Sequence, residues 1–313
     1  MTDILLIIAG FVLLIFCAGL LVDGSSGLAK RFNMSDLIIG LTVVAFGTSA
    51  PELVVNIIAA LDEKTTDIAL TNIIGSNMVN VYIILGIAAL VFPITSRRSS
   101  RIFDIPLSIL APLMVLLLCF DGTLNIVDGI IFLLIFAIFL YTLIRKSLKN
   151  PEITEEIHFK PMKIWKALIM ITFGLAGLIG GAQMIVPAAT NIATAMGVSQ
   201  SLIGLTIVAL GTSLPELATS VVAAFKKNSD IALGNVIGSN IFNVFFILGA
   251  SALIRPLPVY KGITEDLTLT ILAAVLILVF IFSNKSRKIP RWGGAAFIII
   301  YILYILWKIS IQS

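Results

Sequence analysis

Two stretches far apart in the chain carry one pattern. "VAFGTSAPELV", Val44 to Val54, and "VALGTSLPELA", Val208 to Ala218, each set glycine, threonine, serine, proline and a glutamate inside apolar sequence. Aligning Glu52 with Glu216 also aligns Gly10 with Gly174, Gly40 with Gly204, and "LIIGLTVVAFGTS" with "LIGLTIVALGTS". A second block follows, "ALTNIIGSNMVNVYIILG" from Ala69 against "ALGNVIGSNIFNVFFILG" from Ala232, its register shifted by one residue in the intervening loop. The chain is therefore an internal duplication, and any fold must give both copies the same local surroundings.

Those surroundings are a membrane. Of 313 residues 59% are apolar and 12% charged, with mean hydropathy +1.10, far from the quarter of charged residues usual in soluble domains. Ten apolar runs reach the roughly 20 residues that cross a bilayer: near Ile4 to Leu28, Leu37 to Leu61, Ile68 to Phe92, Ile102 to Phe120, Ile126 to Ile144, Ile164 to Pro187, Leu202 to Phe225, Ile231 to Ile254, Leu267 to Phe282 and Trp292 to Ile309. The expected fold is an all-α integral membrane protein of ten transmembrane helices. Residues 1–145 form one five-helix half, 146–163 a short cytoplasmic linker, and 164–313 the second half. Five is odd, so the second half enters the membrane upside down relative to the first, the inverted-repeat design common in transporters. The first run lacks a preceding basic region and a clear cleavage site, and reads as a retained helix.

Basic residues orient the chain, because short cytoplasmic loops collect Lys and Arg. Sixteen of them, among them Arg97, Arg98, Arg145, Lys226 and Arg287, fall on one side of the ten-span layout. Four, Lys64, Arg255, Lys261 and Lys308, fall on the other, with Lys166 just inside a span. The expectation is a multi-pass protein of the cell (plasma or inner) membrane with both termini external. This bias accounts for the net charge of +4 without a nucleic-acid partner, and no protein partner is implied. Cys17 and Cys119 fall within spans without CxxC spacing and read as small core residues. The lone His158 lies in the linker.

Each motif has an ordinary reading as helix packing, since small residues line membrane helix contacts. A carboxylate at mid-bilayer is different, costing at least about 2.5–3.5 kcal/mol and marking a functional site. Pro51 and Pro215 have no N–H for the carbonyls of Gly47 and Gly211, and freed backbone oxygens are tolerated only in protein or a polar cavity. Thr48 and Ser49 lie four and three residues before Glu52, as Thr212 and Ser213 do before Glu216, so helical spacing puts their oxygens on the glutamate's face. Ser76 and Asn80 are four apart, as are Ser239 and Asn243. Carboxylates, hydroxyls, amide oxygens and carbonyls are hard ligands that suit Ca2+ or Na+ and not zinc or copper.

"GTSAPEL" with "GSNMVN", and "GTSLPEL" with "GSNIFN", resemble the two alpha-repeats of the cation/Ca2+ antiporter superfamily, most closely its Na+/Ca2+ exchanger branch. The resemblance spans essentially the whole chain. It implies a core of the second, third, seventh and eighth spans across which the long first and sixth slide, with glycines such as Gly10, Gly19, Gly24, Gly27, Gly174, Gly177, Gly180 and Gly181 at their contacts. It implies that Glu52 and Glu216 hold Ca2+ with backbone oxygens of Thr48 and Thr212. Na+ would use the Ala45 carbonyl with Ser76 and Ser213, and the Ala209 carbonyl with Ser49, Thr212 and Ser239, with Asn80 and Asn243 closing the centre. Two departures stand out: Thr71 replaces a glycine expected before Asn72, and Asn243 stands where some relatives carry aspartate.

The functional expectation is a secondary antiporter, not an enzyme, that exchanges Na+ for Ca2+ by alternating access, electrogenic and independent of K+. Its ions are cargo, and no cofactor is expected. Two alternatives stay open. Buried carboxylates without a cation can take up protons, which allows H+-coupled exchange of Ca2+ or Na+, and similar oxygen ligands also serve ion channels.

Overall fold

The computed structural model describes residues 2–61, 66–149, 161–196, 209–283 and 285–312. Nearly all of them are helical. We label the helices α1 (Thr2–Arg31), α2 (Asp36–Thr48), α3 (Ala50–Leu61), α4 (Ile68–Val91), α5 (Ser100–Asp121), α6 (Ile126–Lys146), α7 (Ile164–Ala195), α8 (Ala209–Thr212), α9 (Leu214–Phe225), α10 (Ser229–Ile254), α11 (Ile263–Phe282) and α12 (Arg291–Ser310). Eight of these are long and apolar enough to span a membrane by themselves, and α2 with α3, bent by 48° at their junction, is long and apolar enough as a pair. Residues 197–208, where the other half of the seventh expected span falls, lie outside the described residues.

Burial separates the helices into a centre and a rim. In α4 and α10, 78% of the most apolar window is buried, against 17% in α12 and 28% in α1 and α6. The rim helices turn large apolar side chains such as Phe16, Leu117, Leu134, Phe173 and Leu303 outward, which is stable only against lipid. The chain is thus a multi-pass membrane protein.

At 30 and 32 residues, α1 and α7 are about 45 Å or longer at 1.5 Å per residue. They exceed a hydrocarbon core of about 30 Å and must tilt or project beyond it. They run antiparallel against each other with almost no side-chain spacing. A Cβ on Gly174 would stand 2.9 Å from the Leu21 nitrogen and 3.0 Å from the Cys17 carbonyl; one on Gly10 would stand 2.9 Å from the Gly181 carbonyl. Gly24 meets Ala167 and Met170, and Gly177 meets Cys17. The expected glycine contact is present at these positions. The packing is looser at Gly180, where an added Cβ would stand 3.8 Å from Leu13, and at Gly19 that carbon would meet Lys226 at 3.8 Å and nothing of α7, while Gly27 packs on Met162 ahead of α7.

One end of α1 is tied to the centre by polar groups. Lys226 reaches Asp23 at 2.5 Å and the Gly19 carbonyl, and Asn228 donates to both Ser26 and Asp36.

Two short antiparallel bridges join the halves. Ile94 and Thr95, after α4, pair with Lys288 and Ile289 before α12; Thr123 and Leu124, after α5, pair with Leu257 and Pro258 after α10. The second bridge repeats the first with the halves exchanged. The α2–α10 crossing is equally close, Gly40 and Gly234 meeting backbone to backbone. The sequence partner of Gly234 is the exposed Thr71, and that of Gly40 is Gly204, outside the described residues.

Candidate ion site

The site forms where both glutamate motifs break their helices. Ser49 ends α2 at φ −81°, ψ 9°, and Ser213 ends α8 at φ −89°, ψ 7°, nearly the same off-helix conformation twice. The cause is local: Pro51 and Pro215 occupy the first turn of the next helix, where proline fits, and offer no N–H to the turn before. Glu52 and Glu216 follow one residue later, each 1% exposed.

Sequence spacing puts Thr48 and Ser49 on the face of Glu52. The bend sends them elsewhere. Ser49 Oγ donates to Glu216 Oε1 at 2.9 Å and lies 3.0 Å from Ser239 Oγ, and Thr48 also faces Glu216. Reciprocally, Ser213 Oγ donates to Glu52 Oε1 at 3.4 Å, with Thr212 facing the same carboxylate. Each carboxylate is held by the hydroxyls of the opposite half.

The structure gives the other expected residues uneven settings. Ala45 is fully buried, and its carbonyl accepts from the Ser49 amide at 3.0 Å and the Thr48 hydroxyl at 3.3 Å. Ala209 opens α8. Ser76 is 3% exposed on α4. Asn80 and Asn243 are both 1% exposed, and each begins a π-helical turn, Asn80–Leu85 and Asn243–Leu248, a widening frequent at functional sites.

Sequence reasoning missed three asparagines. Asn77 and Asn240 bridge α4 and α10: Asn77 Nδ2 donates to the Asn240 carbonyl and Asn240 Nδ2 to the Asn77 carbonyl, both at 3.3 Å. Asn80 Nδ2 donates to Asn240 Oδ1, and Asn243 Nδ2 to Asn77 Oδ1, both at 3.0 Å. Asn235 donates to the Glu216 carbonyl and to Ser220, while its Oδ1 lies 3.0 Å from the Thr48 hydroxyl. The signal was available, since Asn77 and Asn240 stand in the duplicated block, three residues before Asn80 and Asn243 and so on the same helix face.

Nine buried side-chain oxygens have no hydrogen-bond partner among the described residues, and four of them, Glu52 Oε2, Glu216 Oε2, Asn80 Oδ1 and Asn243 Oδ1, are the carboxylate and amide oxygens of the duplicated motifs. An unmatched buried carboxylate oxygen is costly, and here two come with two amide oxygens, one of each from either half. Carboxylate and amide oxygens left without donors suit a hard cation. Among the described residues no group of three or more His, Cys, Asp or Glu converges, so a thiolate or imidazole metal centre has no ligands here.

The profile of the family described as "Sodium/calcium exchanger protein" matches residues 2–145 and 166–310. The chain belongs to that family. It is a family of membrane exchangers, which accords with a cation site and not with a catalytic one. The chain is 34% identical over 312 residues to the inner membrane protein YrbG of Escherichia coli (strain K12), covering 96% of this chain and 94% of YrbG. It is 28% identical over 344 residues to the sodium/calcium exchanger MaX1 of Methanosarcina acetivorans, covering 97% of each. Solved structures of the sodium-calcium exchanger NCX_Mj superpose with TM-score 0.84 at 31% identity, over 97% of this chain and 98% of that one. Among them are forms soaked with Na+ and Sr2+ and with Na+ and Ca2+.

Proposed function

We propose that this exchanger is an electrogenic, K+-independent antiporter that moves Na+ against Ca2+ through one central site by alternating access. It sits in the cell membrane as ten spans in two inverted five-helix halves, both termini external. The observation that carries the reading is the quartet of donor-free buried oxygens from Glu52, Glu216, Asn80 and Asn243. Two carboxylates and two amides give a formal charge of −2, which one Ca2+ neutralises. Backbone oxygens of Thr48 and Thr212 add to the 6–8 that Ca2+ takes.

Three Na+ in place of Ca2+ leave the site at +1. They use the same glutamates with Ala45, Ser76 and Ser213 on one side and Ala209, Ser49, Thr212 and Ser239 on the other. Net charge then crosses with Na+, and one charge over 100 mV is worth about 2.3 kcal/mol, so an inside-negative potential drives Na+ in and Ca2+ out. The glycine contacts hold α1 tightly against α7, so the pair is able to slide over the centre as one body.

The test is Ca2+ uptake into vesicles reconstituted with the purified chain, with Na+, H+ and voltage gradients imposed singly. Internal Na+ drives uptake, and an inside-positive potential accelerates it. Uptake driven by a proton gradient without Na+ would replace the reading with H+ coupling. Uptake that needs no counter-ion would make the protein a channel.

A further inference from the structure

A carboxamide has two ends, and only one suits a cation. With Oδ1 toward the site, Asn80 and Asn243 offer lone pairs; with Nδ2 there, they would offer N–H groups that repel an ion. The choice is fixed by a chain of hydrogen bonds whose first member cannot reverse. The Asn77 backbone carbonyl accepts and never donates. It lies 3.3 Å from Asn240 Nδ2, so Asn240 must present its amide nitrogen there and its Oδ1 on the other side. That Oδ1 lies 3.0 Å from Asn80 Nδ2; Asn80 must donate, and its Oδ1 is the end left without a donor.

The same chain runs with the halves exchanged, from the Asn240 carbonyl through Asn77 to Asn243. Reversing any one amide would set acceptor against acceptor or donor against donor, at a cost of about 1–3 kcal/mol for each buried group left unmatched. Asn77 is 1% and Asn240 4% exposed, so water is poorly placed to repair such a mismatch.

We infer that Asn77 and Asn240 are positioning residues: a reciprocal clasp across the α4–α10 crossing that turns the oxygens of Asn243 and Asn80 toward the transported cation. The inference rests on the ion site proposed above. It assigns the clasp a role in Ca2+ affinity beyond gluing two helices together, because removing Asn77 frees Asn243 to turn its N–H groups inward. Asn240 does the same for Asn80.

The test is a double-mutant cycle on the full chain, reading the Ca2+ concentration for half-maximal exchange, the maximal rate, and the Ca2+-dependent rise in melting temperature in detergent. Asn77→Leu keeps roughly the side-chain volume but neither donates nor accepts. It is expected to raise half-saturation about tenfold, the equivalent of one lost hydrogen bond of about 1.4 kcal/mol, with a smaller effect on maximal rate. Asn77→Leu added to Asn243→Ala is expected to stay within about threefold of Asn243→Ala alone, since no amide remains to orient. Asn240→Leu with Asn80→Ala forms the second, independent cycle.

Half-saturation within about twofold of wild type in the leucine variants, or effects that multiply in the doubles, would overturn the inference. So would loss of folding in both leucine variants while both alanine variants fold, which would place the clasp in stability alone. A wild-type chain that shows no Glu52-dependent Ca2+ response overturns the proposed function instead, so the two failures are distinct.

Discussion

Ser49 of the first half donates to Glu216 of the second at 2.9 Å, so the carboxylate of one repeat is oriented by the hydroxyl of the other. The reverse bond, Ser213 to Glu52, is longer at 3.4 Å. Any movement that separates the two motifs alters both carboxylates together, which ties the state of the site to the arrangement of the halves.

The carboxylates are expected to be indispensable singly. Glu52→Gln and Glu216→Gln each remove half the formal charge of the site with little change in volume, and each abolishes Ca2+ exchange in vesicles while leaving monodisperse protein. Their melting temperatures no longer rise with Ca2+. Exchange by either variant near the wild-type rate would rule out a site built on two carboxylates.

The unequal serine bonds predict unequal effects. Ser49→Ala loses a short bond to a carboxylate, about 1.5–3 kcal/mol, and also its contact with Ser239. Half-saturation by Ca2+ is expected to rise at least tenfold. Ser213→Ala gives up the longer bond and shifts less. Equal shifts in a Ca2+ titration of exchange rate would contradict this ranking.

The α1–α7 contact predicts a position-specific cost of one methyl group. In Gly174→Ala the new carbon meets backbone atoms of Leu21 and Cys17 near 3 Å, which cannot turn aside as a side chain can. Overpacking of this kind costs about 1–3 kcal/mol, so melting temperature and exchange rate both fall. Gly180→Ala, with its nearest neighbour at 3.8 Å, is expected to match wild type in both measurements.

Orientation is read by impermeant thiol labelling of intact cells, in a background lacking Cys17 and Cys119. A cysteine at Glu265 reacts from outside, and one at Ser99 reacts only after permeabilisation. External labelling at Ser99 would invert the proposed topology.

The amide at Asn243 predicts indifference to K+. It contributes an oxygen and no charge, so nothing electrostatic holds a second cation beside Ca2+. Replacing K+ by choline is expected to leave wild-type Ca2+ flux unchanged, whereas Asn243→Asp makes flux depend on K+ or on pH. A wild-type flux that collapses without K+ would refute the prediction.

The sequence alone determined the solvent, the duplication and the chemistry. Apolar runs of bilayer length require a membrane, and the repeated Glu52 and Glu216 with their prolines mark the two broken helices and their hard oxygen ligands. These are properties of composition and short spacing, which survive without knowledge of distant contacts. Helical spacing also assigned Ser49 to Glu52, and there it failed, because the 48° bend between α2 and α3 ends the shared face at that serine. Only the tertiary structure decided that Ser49 serves Glu216, and that Asn77 and Asn240 lock the amides beside the glutamates. Those pairings join residues more than 150 positions apart, and they depend on how α3, α9, α4 and α10 cross. Local sequence carries the residues to the centre, and only the packing of the two halves chooses their partners.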